Sequence, residues 1–473
     1  MSTLETKKRN QILLVLFLGV LMGALDIAIV GPALAPIQKF FGVNERTGAW
    51  IFTIYVLFNL IGTPLMAKLS DQFGRRTVYI LDVFLFALGS LVVSVSPSFA
   101  FFLAGRAIQG FGAGGVFPVA SAVIGDTFPP EQRGRALGLI GAVFGLAFVL
   151  GPILGGVILL LTSWNWLFIV NLPVAAVVIA LGLRLLPNVP SKTPAAFDWA
   201  GMVVLGSGLA ALAYGVNRLD SSDFFRSLFS IQVWPLFALT AILIFAFVQI
   251  ERRAASPVVR LDLFSRRQMV LAYLLSAGAG LGESGLVFIP ALAVGALGSQ
   301  GITASSASFL LMPVVLAMGF GSPVVGRLLD RYGSRVVIVA GTLTLAVGMF
   351  LLGIFASSMA LFILSGLLIG LGLSALLGAP VRFIMLNEAS VQDRSVAQGV
   401  VTLSTSVGQL LAGAVVGGIA ASRGGGTAGY SSAYLFIGLV ALVLMGVSFL
   451  LKPRSAEQAG LGNRTAQPAV AAE

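Results

Sequence analysis

Three ionisable side chains interrupt long apolar stretches of the chain: Asp26, Arg106 and Glu283. Burying one such group in hydrocarbon costs at least about 2.5–3.5 kcal/mol, so residues of this kind are usually functional. The chain contains no histidine, and any proton carrier in these stretches must then be a carboxylate in apolar surroundings. Asp26 and Glu283 are therefore predicted to bind protons, with Arg106 as the third member of this proton-coupling site.

A structural role is open for the same residues. Asp26 and Arg106 could form a fixed ion pair that only satisfies two buried charges. The two roles can coexist, because a carboxylate that alternates between a proton and a cationic partner could couple proton movement to transport. A further acid, Asp82, lies a turn or so inside its apolar stretch, where it could reach the cytoplasmic interface and be structural.

The composition indicates a membrane protein. Of 473 residues, 58% are apolar and 10% are charged, against roughly 45–50% and about 25% in soluble domains. Apolar runs of at least about 18 residues recur throughout, and each can cross a hydrocarbon core about 30 Å thick. The first run follows Lys7, Lys8 and Arg9 like a secretory signal, but its length and Asp26 predict a retained helix. Without cysteine or histidine, disulfides and imidazole or thiolate metal sites are excluded, and no metal site is predicted.

Apolar periodicity and length predict fourteen membrane-spanning helices. They lie near residues 11–37, 47–69, 78–97, 99–125, 135–160, 166–187, 198–216, 232–250, 269–294, 305–329, 335–356, 358–386, 395–421 and 431–451. With both termini in the cytoplasm, 23 of the 29 Lys and Arg residues fall on the cytoplasmic side, as the positive-inside rule requires in a plasma-membrane protein. Five fall outside: Lys39, Arg46, Arg218, Arg226 and Arg423. The net charge of +11 thus comes from short loops facing anionic lipid, and nucleic acid is not expected as a partner.

Two segments of the chain are repeated. AKLSDQFGRRTVYI (67–80) aligns without gaps on GRLLDRYGSRVVIV (326–339), which places Asp330 259 residues after Asp71. EQRGRALG (131–138) matches QDRSVAQG (392–399) at an offset of 261 residues. Two matches at nearly one offset indicate a duplicated half, which is typical of secondary transporters.

The repeat predicts two six-helix bundles with an insertion between them. Six helices need only about 200 residues, so the excess of about 60 residues corresponds to one further helix pair. The predicted domains are an N-terminal six-helix bundle (1–190), an inserted pair of transmembrane helices with its linker (191–265), a C-terminal six-helix bundle (266–452) and a flexible cytoplasmic tail (453–473).

Four motifs resemble those of one transporter family. They are AKLSDQFGRR (67–76), RAIQG (106–110), GLIGAVFGLAFVLGPILGG (138–156) and ALDIAIVGPALAPI (24–37). Together they are similar to the loop signature, the fourth-helix motif, the fifth-helix antiporter motif and the first-helix motif of the 14-helix drug:proton antiporters of the major facilitator superfamily. The chain departs from those motifs at Ala67, Gln72 and Ala147. The resemblance implies an all-α polytopic membrane protein with the major facilitator fold: two pseudo-symmetric six-helix bundles plus an inserted helix pair, 14 transmembrane helices.

The resemblance also implies a cytoplasmic gate at the repeated loop. Asp71 would end a helix, where the macrodipole disfavours an anion, and so needs cationic partners. Asp126 would clamp Arg75, and the cluster would come apart when the protein changes the side it faces. The alternative is a loop that only orients the chain by its positive charge. The predicted gate residues are Asp71, Gly74, Arg75, Arg76, Asp126, Asp330, Gly333 and Arg335.

The antiporter motif comprises Gly151, Pro152, Gly155 and Gly156. The resemblance implies that the proline bends the fifth helix while the glycines let it press against a partner from the other half, sealing the cavity against ion leak. Close packing without that function is the alternative, because small residues generally let transmembrane helices approach.

The two carboxylates are predicted to share one cavity. Asp26 and Glu283 lie on the first and ninth helices, which occupy equivalent places in the two halves, and two acids in a greasy cavity favour an amphipathic cation. Further candidates for the cavity wall are four aromatic and two polar residues, although aromatic residues in spans more often face lipid or the core. They are Trp50, Tyr55, Phe117, Phe288, Asn59 and Gln109.

These observations predict a proton-coupled multidrug efflux transporter for small lipophilic compounds, above all cations, working by alternating access. It is expected to be a monomer in membrane lipid whose partners are its small-molecule substrate and protons. No cofactor is expected, since the proton gradient would drive it. The alternatives are an exporter of a lipid, peptide or specific metabolite on the same fold, or a membrane-embedded enzyme. An enzyme is disfavoured because no histidine, cysteine or clustered acid pair is present near an interface.

Overall fold

The computed structural model describes residues 3–128, 130–187, 198–254, 257, 259, 261–388 and 394–457, some of them by their backbone alone. This part of the chain is helical and contains no strand. Its long helices are α1 (Thr3–Phe41), α2 (Trp50–Phe73), α3 (Arg75–Ser94), α4 (Phe99–Thr127), α5 (Pro130–Leu161), α6 (Asn171–Leu185), α7 (Trp199–Arg218), α8 (Trp234–Glu251), α9 (Arg267–Gly285), α10 (Met312–Tyr332), α11 (Ser334–Ile354), α12 (Met359–Leu377), α13 (Arg394–Ser422) and α14 (Gly426–Ser448).

The prediction of an all-α polytopic membrane protein is confirmed. Within the described residues, 13 helices are long and apolar enough to cross a membrane. The remaining predicted span coincides with α5, a helix of 32 residues. Many side chains in its first two thirds lie outside the described residues, and its described apolar part is Leu150–Leu161.

Five predicted spans are interrupted where continuous helices were expected. The ninth consists of α9, a 3₁₀ turn at Leu286–Phe288 and a second helix, Ile289–Leu297, with a proline in its first turn. The twelfth breaks at Gly378 before a further helix, Ala379–Glu388. The second, sixth and tenth spans each begin with a separate short helix. Proline lacks the N–H that would continue the preceding helix and is favoured at the start of a new one, which explains the breaks beside Pro290 and Pro380.

The remaining short helices lie at the starts of those spans and in the connections. The α-helices are Glu45–Gly48, Trp166–Ile169, Phe224–Leu228 and Ala304–Ala307, and the 3₁₀ helices are Leu261–Phe264, Gly298–Gln300 and Ser308–Leu311.

The chain forms two compact units. The first unit comprises Met1–Val258, Leu286–Met312 and Gly413–Tyr430, and the second comprises the intervening and following residues. This division differs from the predicted boundaries at 190 and 265. Within the first unit, the stretches Leu286–Met312 and Gly413–Tyr430 pack with α1, α2, α5 and α7. The predicted domain boundaries stay a prediction.

Glycine brings α4 into close contact with two neighbours in the first unit. A Cβ at Gly110 would meet the backbone of Tyr55 in α2, and one at Gly112 would lie 2.6 Å from the carbonyl oxygen of Asp82 in α3. Backbones can approach this closely only where a side chain is absent. The glycine pattern therefore fixes α4 between α2 and α3 and directs Arg106 into the interior.

The repeated loops share an unusual backbone conformation. Gly74 precedes α3 with φ 91° and ψ 144°, and Gly333 precedes α11 with φ 80° and ψ 169°. Residues with a Cβ rarely adopt this region. The duplicated segments of the sequence thus form a similar tight turn between two consecutive helices.

The predicted flexible tail begins with a bound segment. Arg454 donates to the carbonyls of Asp330 and Arg331 at the end of α10, and Glu457 accepts from the backbone N–H and the hydroxyl of Ser334 at the start of α11. A cation at a helix C-terminus and an anion at an N-terminus both oppose the helix dipoles favourably. Residues 454–457 of the predicted tail thus contact the ends of α10 and α11, and residues 458–473 lie outside the described residues. The flexibility of the tail stays a prediction.

Gly333→Ala tests the loop conformation. Forcing a Cβ into this backbone region costs about 1–3 kcal/mol, and the new methyl would also lie 2.9 Å from the Cβ of Arg454. We expect a lower midpoint of thermal unfolding in detergent. The matched control is Gly326→Ala in α10, where a Cβ meets nothing within 4 Å and the better helix propensity of alanine applies. Equal effects of the two substitutions would refute this explanation.

Candidate functional site

An ion pair between α1 and α4 forms the centre of the candidate site. Arg106 Nη1 donates to Asp26 Oδ2 over 2.6 Å, and the two side chains are 0% and 2% exposed. A buried pair persists only where further hydrogen bonds satisfy the remaining polar atoms. The neighbours of these two residues therefore decide whether the pair is stable.

Three uncharged polar residues complete the network around Asp26. Gln109 Nε2 donates to Asp26 Oδ1 over 2.7 Å, and Asn171 Nδ2 donates to the same atom over 3.3 Å. Both amides also donate to the hydroxyl of Ser90, over 2.8 and 3.3 Å. Gln109 Oε1 in turn accepts from Arg106 Nη1 over 2.5 Å. Helices α1, α3, α4 and α6 thus each contribute a residue to one buried polar network.

Arg106 has partners other than the carboxylate. Its Nε donates to the carbonyl of Ile51 over 3.1 Å. The guanidinium lies 4.2 Å from the centre of the Tyr55 ring and 5.8 Å from that of Phe168, so both rings make cation–π contacts with it. The predicted cavity residue Tyr55 therefore faces Arg106. The Arg106 Nη2 and the Tyr55 hydroxyl are buried and have no hydrogen-bond partner among the described residues.

The other predicted cavity residues lie in different surroundings. The indole of Trp50 donates to Asn217 over 3.3 Å and contacts the Tyr214 ring, and the buried Phe288 contacts the Tyr430 ring. Phe117 is 40% exposed on α4. Asn59 is half-buried on α2, with its carbonyl against Gly114. The structure therefore joins Tyr55 and Gln109 to the Asp26–Arg106 pair and gives Trp50 and Phe288 other contacts.

The sequence does not predict that Ser90, Asn171 and Phe168 belong to the site. Serine and asparagine in an apolar span carry no charge and give no sign of which neighbour they face. Asn171, which follows the short helix Trp166–Ile169, was the more detectable of the two because an amide is costly to bury without partners. Asp82, which could reach an interface by its position in the sequence, has a side chain that is fully buried against Gly115, with neither carboxylate oxygen hydrogen-bonded within the described part of the chain.

Glu283 lies in the second unit on α9. Gln409 on α13 donates to its carboxylate over 3.0 Å. A Cβ at Gly280 or Gly408 would overlap the facing helix backbone, so glycine brings these two helices together at this level. Glu283 thus has an amide partner, whereas Asp26 has a guanidinium. That the two acids line one cavity stays a prediction.

The first copy of the repeated loop forms the predicted clamp contact. Arg75 Nε donates to Asp126 over 3.1 Å with exposures of 21% and 54%, and Arg75 Nη1 donates to Ser70 over 2.7 Å. Arg76 donates to the carbonyl of Leu183 over 3.4 Å. Such an exposed ion pair contributes at most about 1 kcal/mol. The side chain of Asp71 lies outside the described residues.

The second copy is built differently. Ser334 occupies the position of Arg75 and binds Glu457 of the tail. Asp330 is exposed and its carbonyl accepts from Arg454 over 2.8 Å, while Arg335 lies over the Phe449 ring at 5.9 Å. The second loop therefore does not repeat the Arg75–Asp126 contact, because serine stands where the first loop has Arg75. That Asp330, Gly333 and Arg335 belong to the cytoplasmic gate stays a prediction.

The antiporter motif packs α5 closely against two partners. Cβ atoms at Gly151 and Gly155 would meet Ala28 and Pro32 of α1, and one at Gly156 would lie 2.9 Å from the carbonyl of Ser305. Pro152 lies inside the helix between them. The motif thus brings α5 against the first helix and, within the first unit, against a segment from the second half of the chain.

A double substitution tests whether the ion pair is a buried, mutually dependent unit. Asp26→Leu alone leaves the Arg106 guanidinium buried without its anion, and such losses cost about 3–5 kcal/mol. Asp26→Leu combined with Arg106→Met removes both charges and should unfold closer to wild type in a thermal melt in detergent. If the double variant is no more stable than the single variant, the two charges do not depend on each other.

Comparison with known proteins identifies the family of this chain. A model of the Major Facilitator Superfamily matches residues 16–282 and 269–472. The MFS-type transporter YfiU of Bacillus subtilis (strain 168), itself uncharacterised, is 33% identical over 415 residues, which cover 86% of this chain and 79% of that protein. Multidrug resistance protein 3 of the same strain is 31% identical over 352 residues, covering 74% of this chain and 67% of that protein.

A solved structure shares the fold. It is that of a bacterial homologue of the human lysosomal transporter Spinster, inward-facing and unoccupied, with a TM-score of 0.67 at 16% identity. The match covers 99% of this chain and 100% of that one. With the family model and the relatives, it leads to one conclusion: this chain belongs to the major facilitator superfamily and is a membrane transporter, not an enzyme.

Proposed function

We propose that this transporter exports small lipophilic compounds, above all cations, from the cell in exchange for protons. The observation that carries the proposal is the buried carboxylate of Asp26, hydrogen-bonded to Arg106, Gln109 and Asn171. A relative named Multidrug resistance protein 3 and another named Multidrug transporter protein MdtP, both from Bacillus subtilis, support the substrate class. The proposal includes a location in the plasma membrane with both termini in the cytoplasm.

Asp26 would alternate between a proton and Arg106. When the carboxyl is protonated, Arg106 loses its anion but keeps the Ile51 carbonyl, the Gln109 side-chain oxygen and the Tyr55 ring. These contacts let the guanidinium remain charged and buried in both states. The proton can therefore come and go without expelling the arginine from the bundle.

Glu283 would supply the second acid. It has an amide partner and no cation at hydrogen-bond distance among the described residues, so a cationic substrate could take the place that a proton otherwise occupies. Proton entry from outside would release the substrate, and proton loss to the cytoplasm would reset the site. Arg75 and Asp126 would close the cytoplasmic gate, and the α5 glycines would prevent ion leak.

Proton release in proteoliposomes tests this coupling. Adding ethidium to wild-type protein in weak buffer should release protons. Asp26→Asn and Glu283→Gln, which cannot bind the proton, should each lower release and proton-driven ethidium transport by about tenfold or more, equivalent to about 1.4 kcal/mol. The control is Asp223→Asn, an acid with a 58% exposed side chain in the α7–α8 connection, which should behave as wild type. Normal release and transport in both variants would exclude the proposed coupling.

A further inference from the structure

Three connections of the first unit meet at the end of the molecule predicted to face outward. They are residues 45–50 after α1, residues 217–221 at the end of α7, and residues 417–426 at the end of α13, and we call them the outer clasp. The first belongs to the N-terminal half, the third to the C-terminal half, and the middle one to the predicted inserted pair. The middle segment contacts both of the others.

Arg46 contacts the inserted pair from the N-terminal side. Its Nη1 donates to the carbonyl of Arg218 over 3.0 Å and its Nη2 to the carbonyl of Leu219 over 3.3 Å. The last carbonyls of a helix have no partner within the helix and carry its negative dipole end. Arg46 therefore caps α7 although it belongs to a different helix connection.

Asn217 makes a second set of contacts with the N-terminal half. Its side chain is 2% exposed. Its Oδ1 accepts from the Trp50 indole over 3.3 Å, and its Nδ2 donates to the carbonyl of Arg46 over 3.2 Å. A buried amide with both ends satisfied by one neighbouring segment fixes the position of that segment.

The C-terminal half contacts the same stretch from the other side. Ser221 N donates to the hydroxyl of Ser422 over 3.1 Å, and the two hydroxyls lie 2.6 Å apart. Arg423 donates to the hydroxyl and the carbonyl of Ser221, each over 3.3 Å. A Cβ at Gly418 would lie 3.0 Å from the carbonyl of Asn217. Helix α13 thus approaches α7 as closely as its backbone allows.

The outer clasp also explains why some basic residues lie on the side predicted to face outward, where the positive-inside rule predicts few. Arg46, Arg218 and Arg423 are three of the five basic residues predicted to face outward, and two of them donate to backbone carbonyls of residues 218–221. Asp220 lies among them, and hydrogen bonds from the side chain and backbone of Ser222 lower its pKa below the ordinary value, so it stays anionic at neutral pH. The other helix of the inserted pair, α8, is mostly unburied, since only 17% of its span is buried inside the protein.

We propose that the inserted helix pair is a working part of the outer gate: the end of α7 ties the N-terminal half to the C-terminal half in this closed arrangement of the clasp, and this tie must break for the outside to open. The inference rests on the proposed function, because it assumes a cycle of alternating access. It assigns a role to a helix pair that the two repeated halves do not need. Hydrogen bonds at the end of α7 would hold the outer gate closed. The hydrogen bond from Gly426 N to Glu45 Oε1, over 2.9 Å, would add a direct link between the two halves.

A reversible cross-link tests the inference, and the absence of cysteine from the chain makes it specific. Ser221→Cys with Ser422→Cys should form a disulfide on oxidation with copper phenanthroline. The oxidised protein should transport ethidium at least about tenfold more slowly, because turnover requires the gate to open. Reduction with dithiothreitol should restore transport in the same sample.

The control cross-link lies within the inserted pair. Gly208→Cys and Leu243→Cys join α7 to α8, where a Cβ at Gly208 would be 3.3 Å from that of Leu243, and oxidation should leave transport unchanged. Full transport by the oxidised Ser221→Cys/Ser422→Cys protein, or failure of this disulfide to form, would overturn the inference. Absence of ethidium transport in the wild type would instead contradict the proposed function.

Discussion

The Asp26–Arg106 pair is the constraint on which the rest of the first unit depends. Two opposite charges removed from water are stable only while each keeps its partners, and no single helix can supply them. The residues of the hydrogen-bond network lie on α1, α3, α4 and α6, and α2 contributes the carbonyl of Ile51. The helix packing must therefore hold five elements in register around one carboxylate.

Glycine residues let the helices approach closely enough to keep that register. The backbone of α4 lies against α2 and α3 because Gly110 and Gly112 have no side chain, and the same arrangement recurs where α9 meets α13 at Gly280 and Gly408. Hydrophobic driving force is weak between helices in lipid, and close van der Waals packing takes its place. Rigid contacts of this kind favour movement of helices as groups, which suits a transporter whose gates open at either end.

Much of this arrangement could be predicted from the sequence. Length, apolar runs and the distribution of arginine and lysine predict the helices and their number, and the 259-residue offset predicts paired loops, which Gly74 and Gly333 form. Because charged residues are rare in the apolar stretches and a buried ion has few possible partners, the sequence alone identifies Asp26 and Arg106. The sequence predicts Gln109 as a residue of the cavity wall, and its place one turn after Arg106 puts both side chains on one face of α4. The rest depends on tertiary contacts that a single sequence does not reveal: Ser90 and Asn171 join the site only through the packing of α3 and α6.

In the proposed cycle, Asp26 exchanges its arginine partner for a proton. Infrared difference spectroscopy between acidic and alkaline samples measures this directly, because a protonated carboxyl and a carboxylate absorb at different frequencies. The exchange predicts that one component of the protonated-carboxyl band at acidic pH is lost in Asp26→Asn and retained in Asp82→Asn. A band of unchanged frequency and intensity in Asp26→Asn would contradict it.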